Sequence, residues 1–270
     1  MRALVTGGNG FIGSHVVRRL EEAGHEVRVL AQDGTSLTPL EGTGAEVVRG
    51  DLLVPESIEA AVEGMDVVFH LAALAKDWGP AADFMRVNFG GTRLVIRTAV
   101  AKGVKRMVLV SSIAVHRLGP GGIPDGDEGL PRDNLGMPYA RSKILAEDAL
   151  MEAHREGRIE GVVVRPALFP FGPHDRTTFM PLAANLSSYR HVSGGRAVMC
   201  YSYVGNLAHG IALAGEVPQS AGGTYVISDG VKTTWKDLMD HVCDALGRPR
   251  IRRSVPFSVA YAAASLVEYA

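Results

Sequence analysis

Tyr139 and Lys143 stand four residues apart in M-P-Y-A-R-S-K, Met137 to Lys143, at the head of a segment that reads as a helix. Pro138 suits a first helical turn, and Ile144, Leu145, Ala149 and Leu150 supply a buried stripe. On a helix the two side chains share one face, so the ammonium lies near the phenol and favours the phenolate. A tyrosine so placed moves a proton to or from a substrate oxygen near neutral pH, and the lysine can also hold a ribose hydroxyl. The same spacing arises by chance as a surface tyrosine packed over a lysine stem. Ser112 changes the balance. It ends an apolar run, Arg106 to Val110, and its hydroxyl can hydrogen-bond the reacting oxygen, so three groups converge on one C–O bond.

A second stretch supplies what those groups would act with. Arg2 to Gly13, R-A-L-V-T-G-G-N-G-F-I-G, is a short apolar β run that breaks into Gly7, Gly10 and Gly13. Beyond it Phe11, Ile12, Val16, Val17 and Leu20 recur at helical spacing. A strand-to-helix turn of this kind aims backbone N–H groups and the positive end of a helix dipole at one spot, where glycine lets a diphosphate approach. Glycine also serves turns that bind nothing. The context, with a second β run from Glu26 to Leu30 after Gly24, favours a dinucleotide site.

The elements that must position these residues follow a β-α rhythm as far as Arg165. The expected strands are Ala3 to Thr6, Glu26 to Leu30, Ala45 to Arg49, Asp66 to His70, Arg106 to Val110 and Val162 to Arg165. Right-handed crossovers make the sheet parallel and doubly wound, with the carboxyl ends of its strands along one crevice. Asp51 and Leu52, then His70-Leu71-Ala72-Ala73, then Ser111-Ser112 fall at those ends. Ala72 and Ala73 either leave room for a ribose or diphosphate or simply pack tightly. Asp51 either accepts a hydrogen bond from an adenine amino group or serves as an N-cap or turn residue before a helix near Pro55. Past Pro166 the rhythm loosens through Pro170, Gly172 and Pro173 until helical patterns resume at Met180. The expected division is a dinucleotide-binding domain over 1–166 and a smaller substrate-binding lobe over 167–270, some of whose elements return to the sheet.

Composition excludes several classes. The chain has 270 residues, 46% hydrophobic and 21% charged, with a formal net charge of -1 and no block of like charges, so nucleic acid is not an expected partner. A small molecule is. Cys200 and Cys243 form no C-x-x-C pair and the nine histidines show no ligand spacing, so neither disulfide nor metal is expected. The chain begins with its first strand, without a leader, and the expected location is cytoplasmic.

The chain resembles the extended short-chain dehydrogenases/reductases, the NAD-dependent epimerase/dehydratase family, over almost its full length. The resemblance rests on T-G-G-N-G-F-I-G at Thr6, D-L-L at Asp51, H-L-A-A at His70, V-N-F-G-G-T at Val87, S-S at Ser111, Y-A-R-S-K at Tyr139 and R-P-A-L-F at Arg165. It implies a seven-stranded Rossmann sheet, a nicotinamide cofactor and a catalytic set of Ser112, Tyr139 and Lys143. The implied cofactor contacts are Gly7, Gly10, Phe11, Ile12, Asp33, Asp51, Leu52, Leu71, Ala72, Ala73, Asn88, Tyr139, Lys143, Pro166 and Leu168. Asn88 matches an asparagine that supports the active site, and Pro166 to Leu168 match the segment lining the nicotinamide.

Met199-Cys200-Tyr201 ahead of Val204-Gly205-Asn206 lacks the basic clamp of sugar-nucleotide members. Trp78-Gly79-Pro80, S-S-I-A-V at Ser111 and the apolar tail from Pro256 instead resemble the 3β-hydroxysteroid dehydrogenase and dihydroflavonol reductase-like branch. The expected activity is hydride transfer between nicotinamide C4 and a secondary alcohol or ketone of an apolar, steroid- or flavonoid-like substrate. A sugar-nucleotide epimerase or dehydratase, its diphosphate held by His174, Arg176 and Arg196, is the alternative. A non-catalytic dinucleotide sensor is the third reading. The acid expected after the second strand is replaced by Ala31 and Gln32, with Asp33 in reach of the ribose and no Lys or Arg from Ala31 to Gly44, so NAD is expected, with NADP possible. The family commonly forms a homodimer through helices corresponding to Asp83 to Lys102 and Pro138 to Gly157. The apolar tail, Pro256 to Ala270, reads as a core helix, a peripheral membrane contact, or a cover over the substrate crevice. The expectation is that it packs beside the substrate entrance and that the natural chain continues.

Overall fold

Ala3, Leu4, Val5 and Thr6 are fully buried because β1 (Arg2–Thr6) has a neighbour on each side and helices on both faces. The computed structural model describes residues 1–76, 78–117, 126–176 and 179–268. From β1 the chain runs through α1 (Phe11–Glu22), β2 (Glu26–Ala31), β3 (Glu46–Arg49), α2 (Pro55–Val62) and β4 (Val67–His70). A continuous helical stretch follows: α3 (Ala81–Phe84), a π-helical segment (Met85–Gly91) and α4 (Thr92–Ala101). Then come β5 (Arg106–Val110), α5 (Pro138–Arg155) and β6 (Glu160–Pro166).

The second half starts with β7 (Phe169–Phe171), α6 (Phe179–Ala184), β8 (His191–Val192), β9 (Val198–Met199) and β10 (Tyr201–Tyr203). It then returns to the body as α7 (Val204–Glu216) and β11 (Thr224–Ile227), and leaves again as β12 (Thr233–Thr234), α8 (Trp235–Ala245), β13 (Ser254–Val255) and α9 (Phe257–Glu268). The seven-stranded sheet has the order β11-β6-β5-β4-β1-β2-β3, parallel throughout. One face packs on α1 and α7 through Val16, Val17, Leu20, Leu207 and Ile211. The other packs on α2, α4 and α5 through Ile58, Val62, Val95, Ala99, Leu150 and Ala153. Burial of each such large side chain contributes roughly 1.5–3 kcal/mol.

Strand order reverses between β1 and β4, where a doubly wound sheet opens its crevice. The expected strands all form, with β6 starting two residues earlier than the apolar run suggests, at Glu160. Thr224–Ile227 supplies the seventh strand, at the edge beside β6. Of the three readings of the tail, the core helix does not hold for α9, since Phe257, Val259, Tyr261 and Leu266 are all exposed. Tyr269 and Ala270 lie outside the described residues. No described helix is long and apolar enough to cross a membrane.

Candidate active site

The glycine turn closes against the end of β4. Gly7 has φ +68°, and a Cβ there would stand 2.9 Å from the backbone N and Cα of Ala72. Any side chain would push the two strand ends apart. At Gly13 a Cβ would meet the Gly7 carbonyl oxygen at 2.2 Å, so the third glycine sets how closely α1 approaches the turn. Gly10 is the N-cap of α1, its N–H donates to the Gly7 carbonyl at 3.0 Å, and no described side chain caps the helix. The amide end that begins at Phe11 and Ile12 is therefore left to an anion. Leu71, Ala72 and Ala73, half-buried, form the opposite wall. This cradle fits a dinucleotide diphosphate.

At the adenosine end, Asp51 accepts from Leu53 N–H at 2.8 Å through one oxygen and from the Gln32 side chain at 3.0 Å through the other. It is thus a turn residue tied to the loop after β2; the N-cap of α2 is Val54. Leu52 packs on Gly91 of the π-helical segment. Asp33 is exposed beyond β2. A cation is present at this loop: Arg49 of β3 donates to the carbonyl oxygens of Gln32 at 2.8 Å and Thr35 at 3.0 Å. The sequence window from Ala31 to Gly44 does not contain it.

The chemical end is built on β5 and α5. Ser112 follows β5 and caps a short turn, its Oγ accepting from Ala114 N–H at 3.1 Å. That bond occupies a lone pair and leaves the hydroxyl proton to donate. Lys143 is buried on α5 and donates to the Val110 carbonyl at 3.0 Å, with Nζ 6.0 Å from the centre of the Tyr139 ring. Burial pulls its pKa down to about 8, with Glu147 opposing, so it remains an ammonium at neutral pH. Tyr139 lies in the first turn of α5, its ring edge against buried Phe84 at 6.2 Å between centres. Pro166 is buried at the end of β6, and Leu168 is exposed just beyond it.

Two networks hold α5 in place, the first missed by sequence reasoning and the second centred on the expected Asn88. Arg165 of β6 makes a two-pronged, buried ion pair with Glu147 at 3.0 and 2.7 Å, and Arg132 joins it at 3.2 Å. Glu147 is one turn past Lys143, so this pair sets the roll of the helix. On the other side, Asn88 accepts from Leu74 N–H at 2.7 Å and donates to Ser142 Oγ at 3.0 Å. Ser142 in turn donates to the Tyr139 carbonyl at 2.7 Å. The four motifs around His70, Asn88, Tyr139 and Arg165 were the available signal, though not for which atoms pair.

Of the residues offered for a diphosphate clamp, His174 and Arg196 have these surroundings, and Arg176 is exposed. His174 packs 6.0 Å from His15 of α1, whose Nε2 lies 2.9 Å from the Pro173 carbonyl. Arg196 lines a separate depression with Ser193, Gly194 and Ser254 to Pro256. An apolar depression of about 230 Å³ is lined by Phe169, the residue after Leu168, with Tyr189, Val192, Ala197, Met199 and Trp235.

The sequence model of the NAD dependent epimerase/dehydratase family matches residues 3–228. The 2-alkyl-3-oxoalkanoate reductase of Stenotrophomonas maltophilia is 33% identical, over 99% of this chain and 82% of the relative. A 3 beta-hydroxysteroid dehydrogenase/Delta 5-->4-isomerase of Mycobacterium tuberculosis is 34% identical, over 94% and 72%. Among solved structures, the UDP-glucose 4-epimerase of Thermus thermophilus, in complex with NAD, superposes with a TM-score of 0.78 at 28% identity, covering 95% of this chain and 86% of that one.

Proposed function

That this chain belongs to the NAD-dependent epimerase/dehydratase family is the premise from which we propose a reductase of ketones on apolar substrates. NAD is the family's coenzyme and supplies or takes the hydride when bound. The glycine cradle and the bare end of α1 hold its diphosphate, and Lys143 holds the nicotinamide ribose. Tyr139 gives its phenolic proton to the carbonyl oxygen as that carbon gains hydride, and the product is a secondary alcohol. Ser112 donates a hydrogen bond to the same oxygen, which strengthens as negative charge develops there. The Lys143 ammonium favours the phenolate left behind.

The observation that carries the substrate class is the lining of the depression that includes Phe169. Trp235 Nε1 donates to Tyr189 Oη at 2.6 Å, which satisfies the indole N–H, and both rings line the depression. The Phe169 ring packs against Trp235 at 5.5 Å between centres, tilted by 44°. Met199 stands where a sugar-nucleotide enzyme would place a cation, and none of the described residues that line the depression is charged. Two relatives named for 2-alkyl-3-oxoalkanoates and 3 beta-hydroxysteroids support an apolar ketone or alcohol.

The test is loss of NADH absorbance on adding alkyl or steroidal ketones. Turnover is expected with these, and Tyr139→Phe lowers it by about a hundredfold or more while leaving NADH affinity nearly unchanged. Product formed from a sugar nucleotide without net absorbance change would assign an epimerase instead.

The reading extends to assembly and place. The outer side of the α3–α4 stretch carries half-buried Met85 and Phe89, the latter under the Arg93 guanidinium, which suits the homodimer surface; light scattering of the eluted protein tests it. Free thiols at Cys200 and Cys243 suit a cytoplasmic protein. The exposed apolar residues of α9 support peripheral contact with a membrane, which vesicle co-sedimentation tests.

A further inference from the structure

His70 is fully buried at the end of β4, and both of its ring nitrogens are engaged: Nδ1 with Thr6 Oγ1 at 2.7 Å and Nε2 with Thr92 Oγ1 at 2.9 Å. The direction of each bond follows from counting protons. A threonine hydroxyl has one proton to give, and Thr92 gives its proton to the Asn88 carbonyl at 2.5 Å, an atom that only accepts. Thr92 Oγ1 must therefore accept from His70, which places the imidazole proton on Nε2. A neutral ring has a single N–H, so Nδ1 accepts, and Thr6 gives its proton to it. Thr6 Oγ1 then accepts from Ala72 N–H at 3.2 Å.

The result is a one-way chain: Ala72 N–H to Thr6, Thr6 to His70, His70 to Thr92, Thr92 to the Asn88 carbonyl. The Asn88 side chain continues it to Ser142 and so to the Tyr139 carbonyl. One end is the wall against which Gly7 closes; the other is the turn that carries the proton donor. Nothing in the chain is interchangeable, because reversing any bond leaves a buried donor or acceptor without a partner. Burial together with the charge of Lys143 keeps the ring neutral, as this arrangement demands.

We infer that His70 is a positioning residue that ties the coenzyme cradle to the first turn of α5, its Nδ1 serving the cradle and its Nε2 serving Tyr139. The inference rests on the reading of Tyr139 as the proton donor for its kinetic consequence only. The two nitrogens can be separated by substitution. In His70→Asn the amide oxygen takes the place of Nδ1 and keeps the Thr6 side, while the bond to Thr92 is lost. In His70→Gln the amide nitrogen takes the place of Nε2 and keeps the Thr92 side.

NAD affinity by calorimetry, kcat at saturating substrate, and amide hydrogen exchange across residues 137–145 are measured on both variants. His70→Asn is expected to bind NAD within about twofold of the parent, to lose about tenfold in kcat and to exchange faster across 137–145. His70→Gln is expected to bind NAD about tenfold more weakly, with kcat and exchange near the parent's. Thr92→Val cuts the same link as His70→Asn without touching the ring, reproduces its pattern, and stands in for it should that variant fail to fold. Parallel losses of NAD affinity and exchange protection in both histidine variants, or no loss in either, overturn the inference and leave His70 a packing residue. The binding and exchange readings hold even if the substrate class proves different.

Discussion

Burial penalises a charged imidazole at His70, and the nearby Lys143 ammonium adds to the penalty, so its pKa falls to about 3. The stability consequence has a definite sign. Unfolded, the ring titrates near 6.5; folded, it stays neutral until about 3, so in between the unfolded chain binds the extra proton. Stability from this group is complete above pH 6.5 and is lost as the pH falls toward 3, at about 1.4 kcal/mol per pH unit. Urea unfolding at pH 7, 6, 5 and 4 should show that slope in the parent, and His70→Gln should lose about that much of it. An unchanged slope would mean the ring already titrates normally in the folded protein. At this scale the sequence was legible where chemistry is local. Tyr139 and Lys143 are one helical turn apart, and the glycines are three residues apart, so spacing alone places them. His70 with Thr6, Asn88 with Ser142 and Glu147 with Arg165 are 64, 54 and 18 positions apart, and only the pairing of strands and helices brings them together. Arg49 escaped for the same reason: it reaches the loop after β2 from the neighbouring strand.

The stretch from Ala81 to Ala101 would be an unbroken α-helix but for the π-helical Met85–Gly91 inside it. A π turn carries an extra residue, and such turns are uncommon outside functional sites. Here Asn88 lies within it, turned toward Leu74 and Ser142, while Val95, Ile96 and Ala99 downstream remain on the sheet face. Deleting Gly90, an exposed residue, should let the segment relax to α geometry and swing Asn88 by about 100° against the anchored α4. The expected outcome is a protein that still unfolds cooperatively in a melt but, on the proposed role of Tyr139, turns over about a hundredfold more slowly, since small displacements of a reacting group cost that much. Full activity in the deletion would show that Asn88 is not what aligns α5. The β-α rhythm revealed all but one strand of the sheet, because both faces of each strand are buried and its run is apolar. It did not reveal β11, where Thr224 and Tyr225 interrupt the apolar pattern at the sheet edge. For α9 it left three readings open, since an apolar helix does not say what will cover it.

As a whole, the molecule leaves its sheet twice at neighbouring points. One excursion runs from the end of β6 to β10, the other from the end of β11 to α9. The Ile227 carbonyl accepts from both Ala167 N–H at 3.0 Å and Ser202 Oγ at 2.8 Å, so both ends of the first excursion are fastened where the second departs. The two are sewn together by the β9–β12 and β8–β13 pairs and by the bond between Trp235 and Tyr189. The two excursions are therefore expected to transplant only together. Replacing 168–201 alone with the equivalent span of a relative should tear both short ladders, giving a chimera that binds NAD but neither recipient nor donor substrate. Replacing 168–201 and 228–256 together should carry the donor's substrate preference across with NAD affinity unchanged, as paired activity assays and calorimetry would read. The shared carbonyl at Ile227 is then the graft junction, a splice point that lets one coenzyme engine accept interchangeable heads.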